Sequence, residues 1–164
     1  MLAKIYSSDT RKWATASAKM PVATAGEHTA GDVVGAGAVL EFDTGLDAGS
    51  SGIVLSSLVT LDQNAVFSGG AGYYLYLYDE KPTAIADGTA YSLAAADLAK
   101  YVGRIEIGTL IDLGDSVAAN DAAHNFDFNL APTDTKLYGM LVCKGTETTI
   151  ANKTITINLG IAAL

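Results

Sequence analysis

Residues 73–79 read YYLYLYD, and this run restricts the fold more than any other in the chain. Side chains of an extended strand alternate between faces, which puts Tyr73, Leu75 and Leu77 on one side and Tyr74, Tyr76 and Tyr78 on the other. Neither side is simply polar. Such a strand needs packed material on both faces, or a tyrosine ladder that meets another chain through rings with polar tips.

Further strand patterns surround it. Residues 53–61 read IVLSSLVTL; in VGRIEIGTLIDLG the polar Arg104 and Glu106 alternate with Ile105 and Ile107. Three more runs follow: AHNFDFNLA with Phe126, Phe128 and Leu130 in phase, KLYGMLVCKG, and TITINLGIAAL with Ile155, Ile157 and Leu159 in phase. DVVGAGAVLEFD, residues 32–43, is too rich in glycine for a stable helix and reads as a strand bent at Gly35 or Gly37. Turn signals separate these runs: TGLDAGSSG, Asp62-Gln63-Asn64 with SGGAG, Pro82, Asp87-Gly88, Pro132, Gly145 and Asn152. Only AAADLAKY suggests a helix, of about two turns, with Ser92 placed to cap it and Gly103 to end it.

At least seven strands, one helix in a crossover and no alternating βαβα units predict an all-β, two-sheet antiparallel sandwich. The long helix-bearing connection favours a jelly roll with Greek-key connections over a meander barrel. Residues 1–30 show no sustained periodicity and are expected to form an extended N-terminal arm, with residues 31–164 forming the jelly-roll β-sandwich. A chain of 164 residues buries about 70% of its unfolded surface, enough for a core without staples. The single cysteine, Cys143, excludes an internal disulfide framework and multi-cysteine metal sites, and its strand-like setting reads as a small packing residue.

Charge narrows the partners. The chain carries −8, yet residues 1–26 carry +3 through Lys4, Arg11, Lys12 and Lys19 against Asp9, leaving −11 on the remainder. So acidic a body repels phosphate backbones, and no nucleic-acid partner is expected of it. No signal-peptide pattern and no long apolar run occur, so neither export nor a membrane partner is expected, and assembly in a reducing cytoplasm is the simple reading. Only 17% of residues are charged and mean hydropathy is +0.26, against about 25% charged in ordinary soluble domains, which suggests a surface partly covered by other subunits.

Candidate chemistry is sparse. His28 and His124 each have an acidic neighbour, Glu27 and Asp121, but no serine stands in a nucleophile elbow, and both histidines lie in polar, turn-like segments where exposure is expected. Gly35-Ala36-Gly37 and Gly70-Ala71-Gly72 lack the third glycine and the following helix of a phosphate cradle. Asp43 with Asp47, and Asp112 with Asp115, could offer oxygens to calcium but lack the spacing and closing glutamate of an EF-hand loop. No catalytic residue, cofactor or metal site is assigned.

A longer pattern does carry a resemblance. Tyr74 to Asp79, then Lys81-Pro82-Thr83, Ala86-Asp87-Gly88, Tyr91-Ser92-Leu93, Ala96 to Lys100 and Val102-Gly103 follow one another in an order similar to that of small jelly-roll structural proteins of tailed bacteriophages. In that group an apolar strand ends in an aromatic and an acidic residue, a proline-bearing loop follows, and a leucine-aspartate-leucine helix leads into a strand that starts at glycine. Ser57 to Gln63 and the closing LYGMLVCKGTETTIANKTITINLGIAAL fit the same group, so the resemblance covers roughly residues 53–164. It implies a head decoration or cement protein, a homotrimer bound to the major capsid protein on the outer surface of the virion, with no enzymatic activity. Lys4, Arg11, Lys12, Trp13 and Lys19 in the arm are the expected partner-binding residues, Trp13 as the anchor. Two other roles suit the same fold: a carbohydrate-binding jelly roll using exposed Tyr74, Tyr76 or Tyr78, and a head–tail joining or base-plate subunit.

Overall fold

The computed structural model describes residues 12–19, 26–35, 39–62, 67, 69–150 and 153–164. Strands run in the order β1 Lys12–Lys19, β2 Glu27–His28, β3 Leu40–Asp43, β4 Ser51–Leu61, β5 Tyr73–Tyr78, β6 Tyr101–Ile107, β7 Ile111–Asp112, β8 Val117–Asn129, β9 Lys136–Cys143, β10 Glu147–Thr148 and β11 Thr154–Ala163. One 3-10 turn, Ala95–Lys100, precedes β6.

Two main antiparallel sheets hold these strands, ordered β1-β11-β4-β8-β7 and β3-β9-β5-β6, while β10 and β2 form a small ladder. Leaving aside the two-residue strands β2, β7 and β10, the remaining eight pair first with eighth, second with seventh, third with sixth and fourth with fifth. That is a long hairpin rolled on itself, the strand order of a jelly roll. The fold expected from strand patterns and turns is therefore the fold observed.

The alternation within each strand explains the core. Val54 and Val59 of β4, Phe128 of β8 and Ile155, Ile157 and Leu159 of β11 point into the sandwich from one sheet; Phe42, Leu75, Leu77, Ile105, Ile107, Leu137 and Leu141 meet them from the other. Arg104 and Glu106 of β6 stay in solvent, as period two demands. Bulges shift the register of β4 against β8 between Val54 and Ser56, and of β11 against β4 between Gly160 and Ile161. At the β6 edge the two sheets come close, and a Cβ on Gly103 would stand 2.5 Å from Phe126 Cε1 of β8. Only glycine lets that ring pack there.

Two local expectations are corrected. Lys12–Lys19, read as part of an extended arm, is the edge strand β1, paired along its whole length with β11 from Lys12↔Ile161 to Lys19↔Thr154. Its KWATASAK sequence is built of alanines and small polar residues, a weak strand signal, and its partner β11 lies at the far end of the chain, where no local pattern reports it. The expected two-turn α-helix is a single 3-10 segment whose N-cap is Ala94, without a side-chain cap from Ser92, and Gly103 lies inside β6. Asp97, which a helix would expose, is buried and accepts hydrogen bonds from Thr83 N–H (2.9 Å) and Lys100 Nζ (2.8 Å), so tertiary partners shape the turn.

Candidate functional site

The residues singled out in the sequence separate in space. Lys4 and Arg11 lie outside the described residues. Lys12, Trp13 and Lys19 belong to β1 by backbone, with Trp13 opposite Gly160 on β11. Hence part of the expected partner-binding segment is built into the sheet edge.

Neither histidine is exposed, contrary to the expectation from its polar, turn-like surroundings. His28 is 3% exposed and its Nε2 stands 3.0 Å from Asp87 Oδ1, an oxygen that also accepts the Gly35 N–H at 2.7 Å. The sequence neighbour Glu27 points away into solvent; the real partner lies 59 residues later. His124 is 8% exposed and its Nε2 lies 3.0 Å from Ser57 Oγ, itself 1% exposed. A serine–histidine contact is the beginning of a nucleophile, but this one sits mid-strand on β4 beside the bulge against β8, with both side chains buried. It satisfies polar groups inside the sheet.

The acidic loops use their carboxylates locally. Asp43 Oδ1 accepts the Gly45 N–H at 3.0 Å and Asp112 Oδ1 accepts the Gly114 N–H at 2.8 Å, the geometry of aspartates that close their own turns. Cys143 is buried, donates to Thr29 O at 2.7 Å, and burial pushes its thiol up, which is a packing role.

The broad outer face of the β3-β9-β5-β6 sheet is the most elaborated surface. The connection from Asp79 to Lys100 folds back over it, so that Ile85, Tyr91 and Leu93 cover Tyr78, Tyr138 and Met140 in a second apolar cluster. The Tyr91 ring stacks on Tyr76 with centroids 3.9 Å apart, and Tyr101 stands edge-on to Tyr78 at 5.8 Å. This is why both faces of YYLYLY are apolar: one packs the sandwich core and the other packs its own loop. Tyr78 is buried, Tyr76 is half-buried under Tyr91 and Tyr74 half-buried beside Arg104, so none of the three stands fully exposed as expected for glycan stacking.

Beyond the loop the face turns charged. Arg104 lies 4.1 Å above the half-buried Tyr74 ring, and Lys144 pairs with Glu106 beside it. At the opposite end Glu41 accepts from Lys81 Nζ (2.7 Å) and Lys136 Nζ (2.6 Å), and the two ammonium groups hold its carboxyl at about 2. Large apolar side chains are exposed at Leu98 on the 3-10 turn and at Ile111 and Leu113 around the short edge strand β7. None of these was expected from the sequence to be exposed; only exposure, a tertiary property, distinguishes them from core residues. Among the described residues, no helix is long and apolar enough to cross a membrane.

No family model matches the chain, and no curated protein sequence matches it. Solved structures do match in backbone path. A chain from the capsid of Ralstonia phage GP4 aligns with 99% of this chain and 90% of its own length at TM-score 0.40 and 12% identity. A chain of the heated full particle of Israeli acute paralysis virus aligns over 99% and 82% at TM-score 0.33 and 13% identity. One from the native Kashmir bee virus virion at acidic pH aligns over 93% and 70% at TM-score 0.32 and 14% identity.

Proposed function

We propose that the chain is a non-enzymatic structural subunit of a bacteriophage virion, a decoration or cement protein that sits as a homotrimer on the outside of the head at junctions between major capsid protein subunits. One observation carries the reading. The motif order that resembles tailed-phage structural jelly rolls falls on consecutive parts of a single folded unit: β5, the Pro82 loop, the Asp97 turn and the start of β6. Its residues are used in packing that unit, through the Tyr76–Tyr91 stack and the Asp97–Lys100 pair. The resemblance therefore concerns how the chain folds and presents a surface, which is the level at which a binding subunit acts.

Two properties support a surface-bound role. The surface is poor in charge for a free domain, with 17% charged residues in the whole chain, and Leu98, Ile111 and Leu113 stand open to a partner. The mechanism is multivalent docking: each subunit makes a modest contact, and a symmetric oligomer on a repetitive shell multiplies it. Lys4, Arg11, Lys12, Trp13 and Lys19 belong to this contact in the proposal, with residues 1–11 as the reaching segment and β1 as its anchor in the sheet.

The test is co-sedimentation of the purified protein with phage heads that lack it, alongside sizing of the free protein. Saturable binding by a trimer-sized species supports the proposal. A monomer that ignores heads at every concentration overturns it.

A further inference from the structure

The segment Gly26–Gly35 lies as a strap along the ends of β9 and β10. Glu147 and Thr148 pair with His28 and Glu27, Thr149 N–H donates to Gly26 O (3.1 Å), Gly31 N–H to Cys143 O (2.9 Å), and Cys143 N–H to Asp32 O (3.0 Å). Under the strap is a set of buried polar groups that the proposed role does not use. Tyr73 donates its hydroxyl to Glu147 Oε2 at 3.0 Å, and the residue opposite Glu147 in the ladder is His28.

Glu147 is 1% exposed. Among the described residues, its Oε1 and His28 Nδ1 are the two buried side-chain polar atoms with no hydrogen-bond partner, and no lysine or arginine pairs with the carboxyl. Beside it lies a cavity of about 10 Å³, lined by Phe67, Gly70, Gly72, Tyr73 and Leu110, with room for about one water. The ionisable groups around the carboxyl are Tyr73 from β5, His28 from β2 with Asp87 behind it, and Cys143 from β9 with Asp32 of the strap beyond. Among the described residues, an ionised carboxylate here has one hydroxyl donor, from Tyr73, and is otherwise buried, a costly setting for a charge.

We propose that Glu147 is a pH-sensitive latch: as the neutral acid it seals the strap Gly26–Gly35 against β9 and β10, and as the carboxylate it releases it. The inference is independent of the role on the virion. Burial raises the carboxyl above its ordinary value and outweighs the opposing pull of the Tyr73 hydroxyl and of His28. The sign follows from that direction. A group whose closed-state pKa is raised favours closure fully below the ordinary carboxylate range, and that contribution is lost as pH rises through the raised pKa. For each unit of elevation, the opening equilibrium gains about tenfold once the pH has passed it.

Hydrogen exchange read as protection factors, which divide out the intrinsic pH dependence, tests this at the amides of Gly31, Cys143 and Thr149. Protection in the wild type is expected to fall from acid to alkaline pH, by about tenfold for each unit by which closure raises the carboxyl. Glu147→Gln keeps the size and the acceptor for Tyr73 but cannot ionise; its protection should be flat across the same range and higher than wild type at the alkaline end. The infrared band of the protonated carboxylic acid should persist in the wild type to higher pH than for an ordinary, exposed carboxyl, and be missing in E147Q. A wild-type profile that is flat with pH overturns the latch, whether or not E147Q folds. So does a profile that survives unchanged in E147Q, because the titrating group would then lie elsewhere.

Discussion

The hydroxyls of Tyr78 and Tyr91 share a hydrogen bond of 2.6 Å, joining the last residue of β5 to the loop that covers it. Tyr91 also stacks on Tyr76, so one ring closes the outer face of the sheet by a polar and an aromatic contact together. Burial is the main reason that both phenols in the bond are pushed above the ordinary tyrosine range.

Two substitutions separate those contacts. Tyr91→Phe keeps the stack and leaves the Tyr78 hydroxyl short of a partner, and should cost about 1 kcal/mol in denaturant unfolding. Tyr91→Ala loses the ring as well and should cost about 3 kcal/mol. Equal costs for the two would mean that the stack contributes nothing.

Gly103→Ala should destabilise by about 1–3 kcal/mol, since the new Cβ would stand 2.5 Å from the Phe126 ring. Combining it with Phe126→Leu makes room at the same edge, and the pair should cost less than the sum of the singles. Thermal unfolding of the four proteins closes that double-mutant cycle. Additive losses would show that the two positions do not meet.

Removing residues 2–11 leaves every described strand in place and should preserve cooperative unfolding, while weakening head binding if that segment reaches a partner. Removing residues 2–19 also deletes β1 and bares the edge of β11, so the shorter protein should unfold at lower temperature or aggregate. Circular dichroism melts distinguish the two deletions before any binding assay is run.

Acid stability should depend on Glu41 and Asp97. Each carboxyl is held at about 2, Glu41 by hydrogen bonds first from Lys136 and then Lys81, and Asp97 by hydrogen bonds first from Lys100 and then from the Thr83 amide. Folded values below the unfolded ones give stability that is present above the ordinary carboxylate range and lost as pH falls toward about 2. In Glu41→Gln and Asp97→Asn the unfolding midpoint should therefore fall less steeply between about pH 5 and pH 2 than in the wild type. An unchanged slope in both variants would remove these pairs from the acid response.

Much of this architecture can be read along the chain. Period-two alternation at Ile105 and Ile107, at Phe126 and Phe128, and at Ile155, Ile157 and Leu159 marks strands with one buried face, because the pleat alone decides which side each residue takes. The apolar character of both faces at Tyr73–Tyr78 likewise signals cover on each side. What covers the outer side is beyond local pattern: it is the chain's own loop, brought back by Tyr91 and fixed by Asp97.

The buried polar cluster was less legible for the same reason. Glu147 and His28 look like polar residues of turn-rich segments, yet the ladder between β10 and β2 places Glu147 opposite His28 of the strap, 119 positions away in the sequence. Strand β1 escaped because its pairing with β11 spans nearly the whole chain. By itself the sequence determined the longer strands from β3 onward, their buried faces and the all-β sandwich, since these follow from alternation and turn chemistry within a few residues. Only the tertiary structure decided which edges pair, which charges are buried and which leucines stay exposed, since those depend on partners that meet when the hairpin rolls up.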